Sequence, residues 1–296
     1  MSISNSLGQH RQIMLASGPI GYRERGSGAP IVFVHGLLTN GDLWRRVVPP
    51  LADGWRCITP DWPLGSHELP MNDDADLSTP GLARIVADFL EEMELEDVTL
   101  VGNDTGGAIC QLVAAHHSER LGRLVLASCD AYEVYPPAPF GVLSLAARVP
   151  GALFLGAQLL RIHALRRSPF TYGSVMRTHP APAISDSYVR PGLRAAIRRD
   201  TRKVLLGLSR AHTVEAARWF HRIDMPVLIA WAEQDRLFPA ELADRLAADF
   251  PYARRAVVER SRTFIGEDEP DRLAALIGQF LAPAEHTDAD VSGAAQ

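Results

Sequence analysis

Cysteine is scarce in this chain: Cys57, Cys110 and Cys129 are odd in number and sit in or beside apolar runs. That argues against a disulfide framework and suits reduced core thiols in a cytoplasmic protein. Blocks of like charge are also missing. A formal net charge of -5, spread over 296 residues, makes no polyelectrolyte surface for nucleic acid or an anionic membrane, so the expected partner is a small-molecule substrate. No apolar stretch is long enough to span a bilayer without interruption. The longest, Val142 to Leu160, is broken by Arg148, Pro150, Gly151 and Gly156, where a span needs about 20 apolar residues. The polar stretch Met1 to Arg11 lacks the basic-then-apolar layout of a secretory leader. No internal repeat or low-complexity segment stands out, and nothing calls for a cofactor or a metal.

What is present is a globular composition, 47% hydrophobic and 22% charged, enough for one large core with an inserted subdomain. Short apolar runs recur at Ile31 to Val34, Arg56 to Thr59, Val98 to Val101, Leu124 to Ala127, Val227 to Ala230 and Arg254 to Val258. Helical spacing marks Asp42 to Leu51, Thr79 to Met93, Gly106 to His117, Ala240 to Asp249 and Glu269 to Leu281. Strands alternating with helices predict an α/β fold, a mostly parallel sheet doubly wound by helices. Gln12 to Arg25 is expected as an antiparallel hairpin at the sheet edge. From Tyr132 to His212 only proline-punctuated helical patterns occur, which predicts a helical cap inserted between two strands. The expected division is therefore core 1–131, cap 132–212, core 213–282 and a frayed tail 283–296.

The run from Val98 to Gly107 is a strand leading into Gly102-Asn-Asp-Thr-Gly-Gly107 and then a helix. It resembles the nucleophile elbow of α/β hydrolases, with Asp104 in the nucleophile position. The bland alternative is an aspartate that only caps the next helix. His35-Gly36, ending a strand, resembles the family's oxyanion loop. The resemblance implies that the backbone N–H groups of Leu37 and Thr105 face developing negative charge, with His35 structural. The stretch Pro226 to Asp235 runs from a strand into a turn closed by Phe238-Pro239, and Asp235 there matches the position of the family's acid. Asp130, just beyond Leu124 to Ala127, is the second choice for that role.

An aspartate nucleophile in this fold resembles the haloalkane dehalogenases and epoxide hydrolases, in which a carboxylate attacks an sp³ carbon and water then hydrolyses the alkyl-enzyme ester. The resemblance places a histidine after the last strand, where this chain has Thr263. A threonine hydroxyl cannot act as a base near neutral pH. His67, on the loop Asp61 to His67, is the candidate substitute base, against a plain loop-anchoring role. Trp62 on that loop, with Tyr172 and Tyr188 in the cap, are the candidate substrate-binding residues. Thr105 and Leu37 replace the Trp and Asn that often hold halide in dehalogenases, and Leu38 replaces the proline of the epoxide hydrolase H-G-x-P. The balance leans to epoxide-like chemistry. A ligand-binding protein without turnover, and a lyase or isomerase using Asp104 as a base, stay open at this point.

Overall fold

The computed structural model describes residues 2–282; the tail expected at 283–296 lies outside the described residues. One eight-stranded sheet organises the chain. Its strands are β1 (Gln9–Leu15), β2 (Gly18–Arg25), β3 (Pro30–Val34), β4 (Arg56–Pro60), β5 (Val98–Asp104), β6 (Leu121–Cys129), β7 (Val227–Ala232) and β8 (Ala253–Val258). The spatial order is β1-β2-β4-β3-β5-β6-β7-β8. β1 and β2 form the expected antiparallel hairpin, β2 is antiparallel to β4, and every pairing from β4 to β8 is parallel.

Burial follows position in the sheet. All residues of β5 and β7 are buried, because helices cover both faces of a parallel sheet. The edge strands are more open, β1 exposing most of its residues and β8 half, with Gln9, Arg11, Arg254 and Arg255 presenting polar chains that discourage pairing with another sheet. The helices Thr79–Glu92, Thr105–His116, Ala240–Asp249 and Pro270–Leu281 lie where their periodicity put them. The expected helix from Asp42 to Leu51 is instead two pieces, a 3₁₀ turn Gly41–Trp44 and a single α-turn Val48–Leu51. Pro49 and Pro50 lack the N–H that would extend a longer helix through them.

Between β6 and β7 no residue is assigned to a strand. The chain runs through helices from Gly141–Ala146 to Arg210–Ala217, with one isolated bridge between Ala131 and Val134. The longest, Ala195–Gly207, buries Ile197, Val204 and Leu205. The last, Arg210–Ala217, already packs on the core helix Thr105–His116, where His116 Nε2 lies 2.9 Å from Glu215 Oε2. The three cysteines are free and buried. No helix among the described residues is long and apolar enough to cross a membrane.

Candidate active site

The site is built on the turn that ends β5. Asp104 has φ 54° and ψ -132°, in the left-handed half of the map where a non-glycine residue is strained, and the helix Thr105–His116 starts at the next residue. A turn this sharp needs small neighbours. A Cβ on Gly106 would lie 2.3 Å from the Val34 carbonyl oxygen, and one on Gly36 would lie 2.4 Å from Asp104 Oδ2. The Gly-x-Asp-x-Gly-Gly spacing is therefore a packing requirement. Asn103, the one amide side chain in this buried strand, braces the turn: its Nδ2 donates to the carbonyls of Ala127 (2.6 Å), Ser128 (3.1 Å) and Thr263 (2.7 Å). The sequence reading passed over Asn103, although a lone amide in a buried strand was the available signal.

Asp104 side-chain oxygens receive two backbone donors. The Leu37 N–H donates to Oδ2 at 3.0 Å, and the Thr105 N–H also bonds the carboxylate. The two N–H groups singled out in the sequence thus converge on one group, at the N-terminus of a twelve-residue helix. Burial is the larger influence. It pushes the Asp104 carboxyl up to about 7, opposed by those two N–H donors and reinforced by the Asp235 charge.

Asp104 and Thr105 lie at the wall of a cavity of about 110 Å³. Leu37 and Leu38 complete the strand-end side, while Pro136, Leu143, Leu160 and Tyr172 come from the segment between β6 and β7. Leu38, Leu143, Leu160 and Tyr172 also wall a second cavity of about 160 Å³, so these side chains partition a longer apolar space. Phe170, 87% exposed, stands at the rim of the first.

Asp235 follows β7, and its Oδ1 accepts from the Leu237 N–H (2.8 Å), the Phe238 N–H (3.0 Å) and the Thr263 hydroxyl (2.9 Å). Thr263 therefore meets the acid, as its alignment with the missing histidine suggested. Asp235 Oδ2 is buried without a partner, and burial holds this carboxyl above its usual range. Asp130 is fully buried beside the elbow, with Oδ2 3.3 Å from Thr105 Oγ1 and Oδ1 unpartnered. Three buried carboxylates thus influence one another. No histidine lines the Asp104 cavity among the described residues.

Several expected site residues lie elsewhere. His67 is buried with both ring nitrogens engaged: Nε2 is 3.2 Å from Asp200 Oδ2, and Nδ1 accepts from the Gly65 N–H at 3.4 Å. It ties its loop to the helix Ala195–Gly207 and does not line the cavity, so the structure gives it an anchoring place in contrast to the expected base. Trp62 is also away from the cavity. Its indole N–H donates to the Phe33 carbonyl at 3.0 Å and its ring meets Phe89 edge-on, which makes it core packing. Tyr172 lines the cavity but its hydroxyl donates to the Leu38 carbonyl at 2.7 Å. Tyr188 lines the second cavity and bonds Glu267 Oε1 at 3.3 Å, so the two phenols do not point at one substrate atom. His35 is structural, as expected: Nε2 accepts from the Trp62 N–H at 2.9 Å and Nδ1 meets the Gly36 carbonyl at 3.0 Å. Burial holds its pKa down to about 3, so it is neutral.

With this geometry in view, comparison with known proteins gives a consistent answer. A model of the alpha/beta hydrolase fold family matches residues 29–270, and the chain belongs to that family. Haloalkane dehalogenase 2 of Mycobacterium tuberculosis (strain ATCC 25618 / H37Rv) is 28% identical over 267 residues, covering 88% of this chain and 90% of that protein. A cis-3-alkyl-4-alkyloxetan-2-one decarboxylase of Shewanella oneidensis is 27% identical over 274 residues, covering 89% and 85%. Among solved structures, the epoxide hydrolase CorEH superposes with a TM-score of 0.77 at 20% identity, covering 92% of this chain and 98% of that one, a likeness of fold. The chain is an α/β-hydrolase enzyme related at low identity to haloalkane dehalogenases.

Proposed function

We propose that this enzyme uses the Asp104 carboxylate as a nucleophile on an sp³ carbon of a small, largely apolar substrate, expelling an epoxide oxygen or a halide and forming an alkyl ester. One observation carries the reading. A strained turn holds Asp104 against an apolar cavity while two backbone N–H groups bond its carboxylate. A capping aspartate has no use for a second donor from the Leu37 loop, and beyond the first helical N–H, that of Thr105, the Asp104 side chain makes no cap bond. In the ester, the oxygen held by the Leu37 N–H becomes the carbonyl oxygen, where charge would develop during hydrolysis. Residues 132–212 serve as a cap that excludes water and moves to admit substrate. The substrate is a small molecule met in the cytoplasm, in keeping with three buried free thiols.

The second half-reaction differs from that of the group it resembles. In this reading Thr263, bonded to Asp235, stands in for the histidine, His67 is tied to Asp200, and among the described residues no imidazole lines the cavity to activate water at the ester. That specific observation favours a second reading for the discharge: a non-hydrolytic step. The name of the Shewanella relative describes decarboxylation of a four-membered lactone. Asp104 attack on the ring C–O carbon of such a lactone would release a carboxylate, and loss of carbon dioxide would form an alkene and return the Asp104 carboxylate. Neither water nor a general base enters that sequence.

Intact-protein mass spectrometry after incubation with hexyl bromide or hexene oxide tests the nucleophile. A single alkyl adduct is expected with the native protein and none with Asp104→Asn. Saturable binding without any adduct would move the balance to a ligand-binding protein or to Asp104 acting as a base.

A further inference from the structure

Asp130 takes no part in the reading above, yet it is placed beside the cavity at one remove. It follows β6, is fully buried, and is held there by Gln111, whose Nε2 donates to the Asp130 backbone carbonyl at 2.7 Å. Its Oδ2 pairs with Thr105 Oγ1 at 3.3 Å, and its Oδ1 has no partner. Thr105 in turn lines the cavity next to Asp104. The other hydroxyl groups at that wall are committed to backbone carbonyls: Tyr172 to Leu38 at 2.7 Å and Thr171 to Leu165 at 2.6 Å. Among the lining hydroxyls, Thr105 is the one bonded to an acid in place of a carbonyl.

We propose that Thr105 and Asp130 form a proton relay that protonates an alkoxide leaving group, which makes Thr105 a specificity-determining catalytic residue for epoxide substrates over halides. The inference rests on Asp104 being the nucleophile. As an Asp104 oxygen forms its bond to carbon, the C–O bond of the substrate breaks and its electron pair stays on the departing oxygen. That oxygen takes the Thr105 hydroxyl proton, Thr105 takes the proton of Asp130, and Asp130 is left as a carboxylate until solvent reprotonates it after product leaves. A bromide leaves as a stable anion and needs no proton. Burial holds the Asp130 carboxyl well above the usual range and the Asp104 and Asp235 charges push the same way; against the Thr105 hydrogen bond, these favour the protonated form that the relay uses. When Asp130 is protonated its O–H donates to Thr105 Oγ1, which frees the threonine proton to face the cavity.

The test compares labelling of Asp104 by hexene oxide and by hexyl bromide, using the full chain and intact-protein mass spectrometry. Thr105→Val and Asp130→Asn are each expected to slow labelling by the epoxide about 100-fold, the low end for general acid assistance. The ratio of epoxide to bromide labelling is expected to fall by about that factor in each variant, and Thr105→Ser to restore it. The bromide reaction reports that each variant is folded with a working nucleophile. Equal losses with both probes would make the pair structural and overturn the proposal, as would an unchanged epoxide rate or a native protein labelled by bromide alone. Native protein labelled by neither probe would overturn the nucleophile reading and the relay with it.

Discussion

Replacing Thr263 with histidine is the perturbation that separates the two halves of the proposed reaction. The Thr263 hydroxyl donates to Asp235 Oδ1 at 2.9 Å, and the backbone N–H groups of Leu237 and Phe238 fix that carboxylate independently. Removing the hydroxyl therefore costs one hydrogen bond, about 0.5–1.5 kcal/mol, and leaves the acid in place to orient a new imidazole. Thr263 is fully buried, so the larger ring adds an overpacking cost of about 1–3 kcal/mol. Against that loss of stability stands a kinetic gain. General-base assistance is worth roughly 10²–10⁴-fold, or about 3–5 kcal/mol of barrier. The assay is a pulse of hexyl bromide, rapid removal of the excess by gel filtration, and mass spectrometry of the surviving ester over time. The native ester is expected to persist and the Thr263→His ester to decay faster by that factor, with a lower melting temperature. If the native ester decays as fast as the variant's, an unrecognised base is at work and the reasoning from Thr263 fails.

Four further outcomes follow from the same geometry. His67→Ala should leave ester formation and decay unchanged while lowering stability through the lost Asp200 contact; a loss of decay would return His67 to the candidate base it was in the sequence. Ester formation should rise with pH and reach half its limit near 7, because burial holds Asp104 protonated below that and only the carboxylate attacks; a flat rate from pH 5 to 9 would contradict this. The linked stability runs the other way. A carboxyl whose folded pKa is raised contributes stability that is present below its unfolded pKa and lost as pH rises through about 7, so Asp104→Asn should raise the melting temperature at pH 8 more than at pH 5 in calorimetry. Leu160→Ala should open the wall shared by the two cavities and shift preference to longer alkyl chains, read as relative labelling rates across a bromide series.

The parts of this molecule legible in the sequence are those encoded locally. The six parallel-sheet runs, the edge hairpin and the helix after Asp104 follow from periodicity, and the glycines around Asp104 mark a turn that tolerates no Cβ at Gly36 or Gly106. Thr263 and Asp235, each following a strand, meet through the threonine hydroxyl. What could not be read was direction. Trp62 and His67 share a loop near the strand ends, but one side chain turns into the core toward Phe33 and the other toward Asp200 on a helix more than a hundred residues later. The rings of Tyr172 and Tyr188 lie tilted to each other with centroids 6.1 Å apart while their hydroxyls bond Leu38 and Glu267, a tertiary choice that no spacing reports. Asn103 and Asp130 were underrated for the same reason: their value lies in partners on other elements, the loop at Thr263 and the helix that starts at Thr105.

Peptide mapping of the trapped ester tests the central claim most directly. Native protein treated with hexyl bromide is digested under acid conditions that preserve the ester, and the alkylated peptide is fragmented to locate the modification. The account predicts the hexyl group on Asp104 alone, with none in the Asp104→Asn protein. A hexyl group on another carboxylate, on a cysteine, or equally present in Asp104→Asn would contradict it.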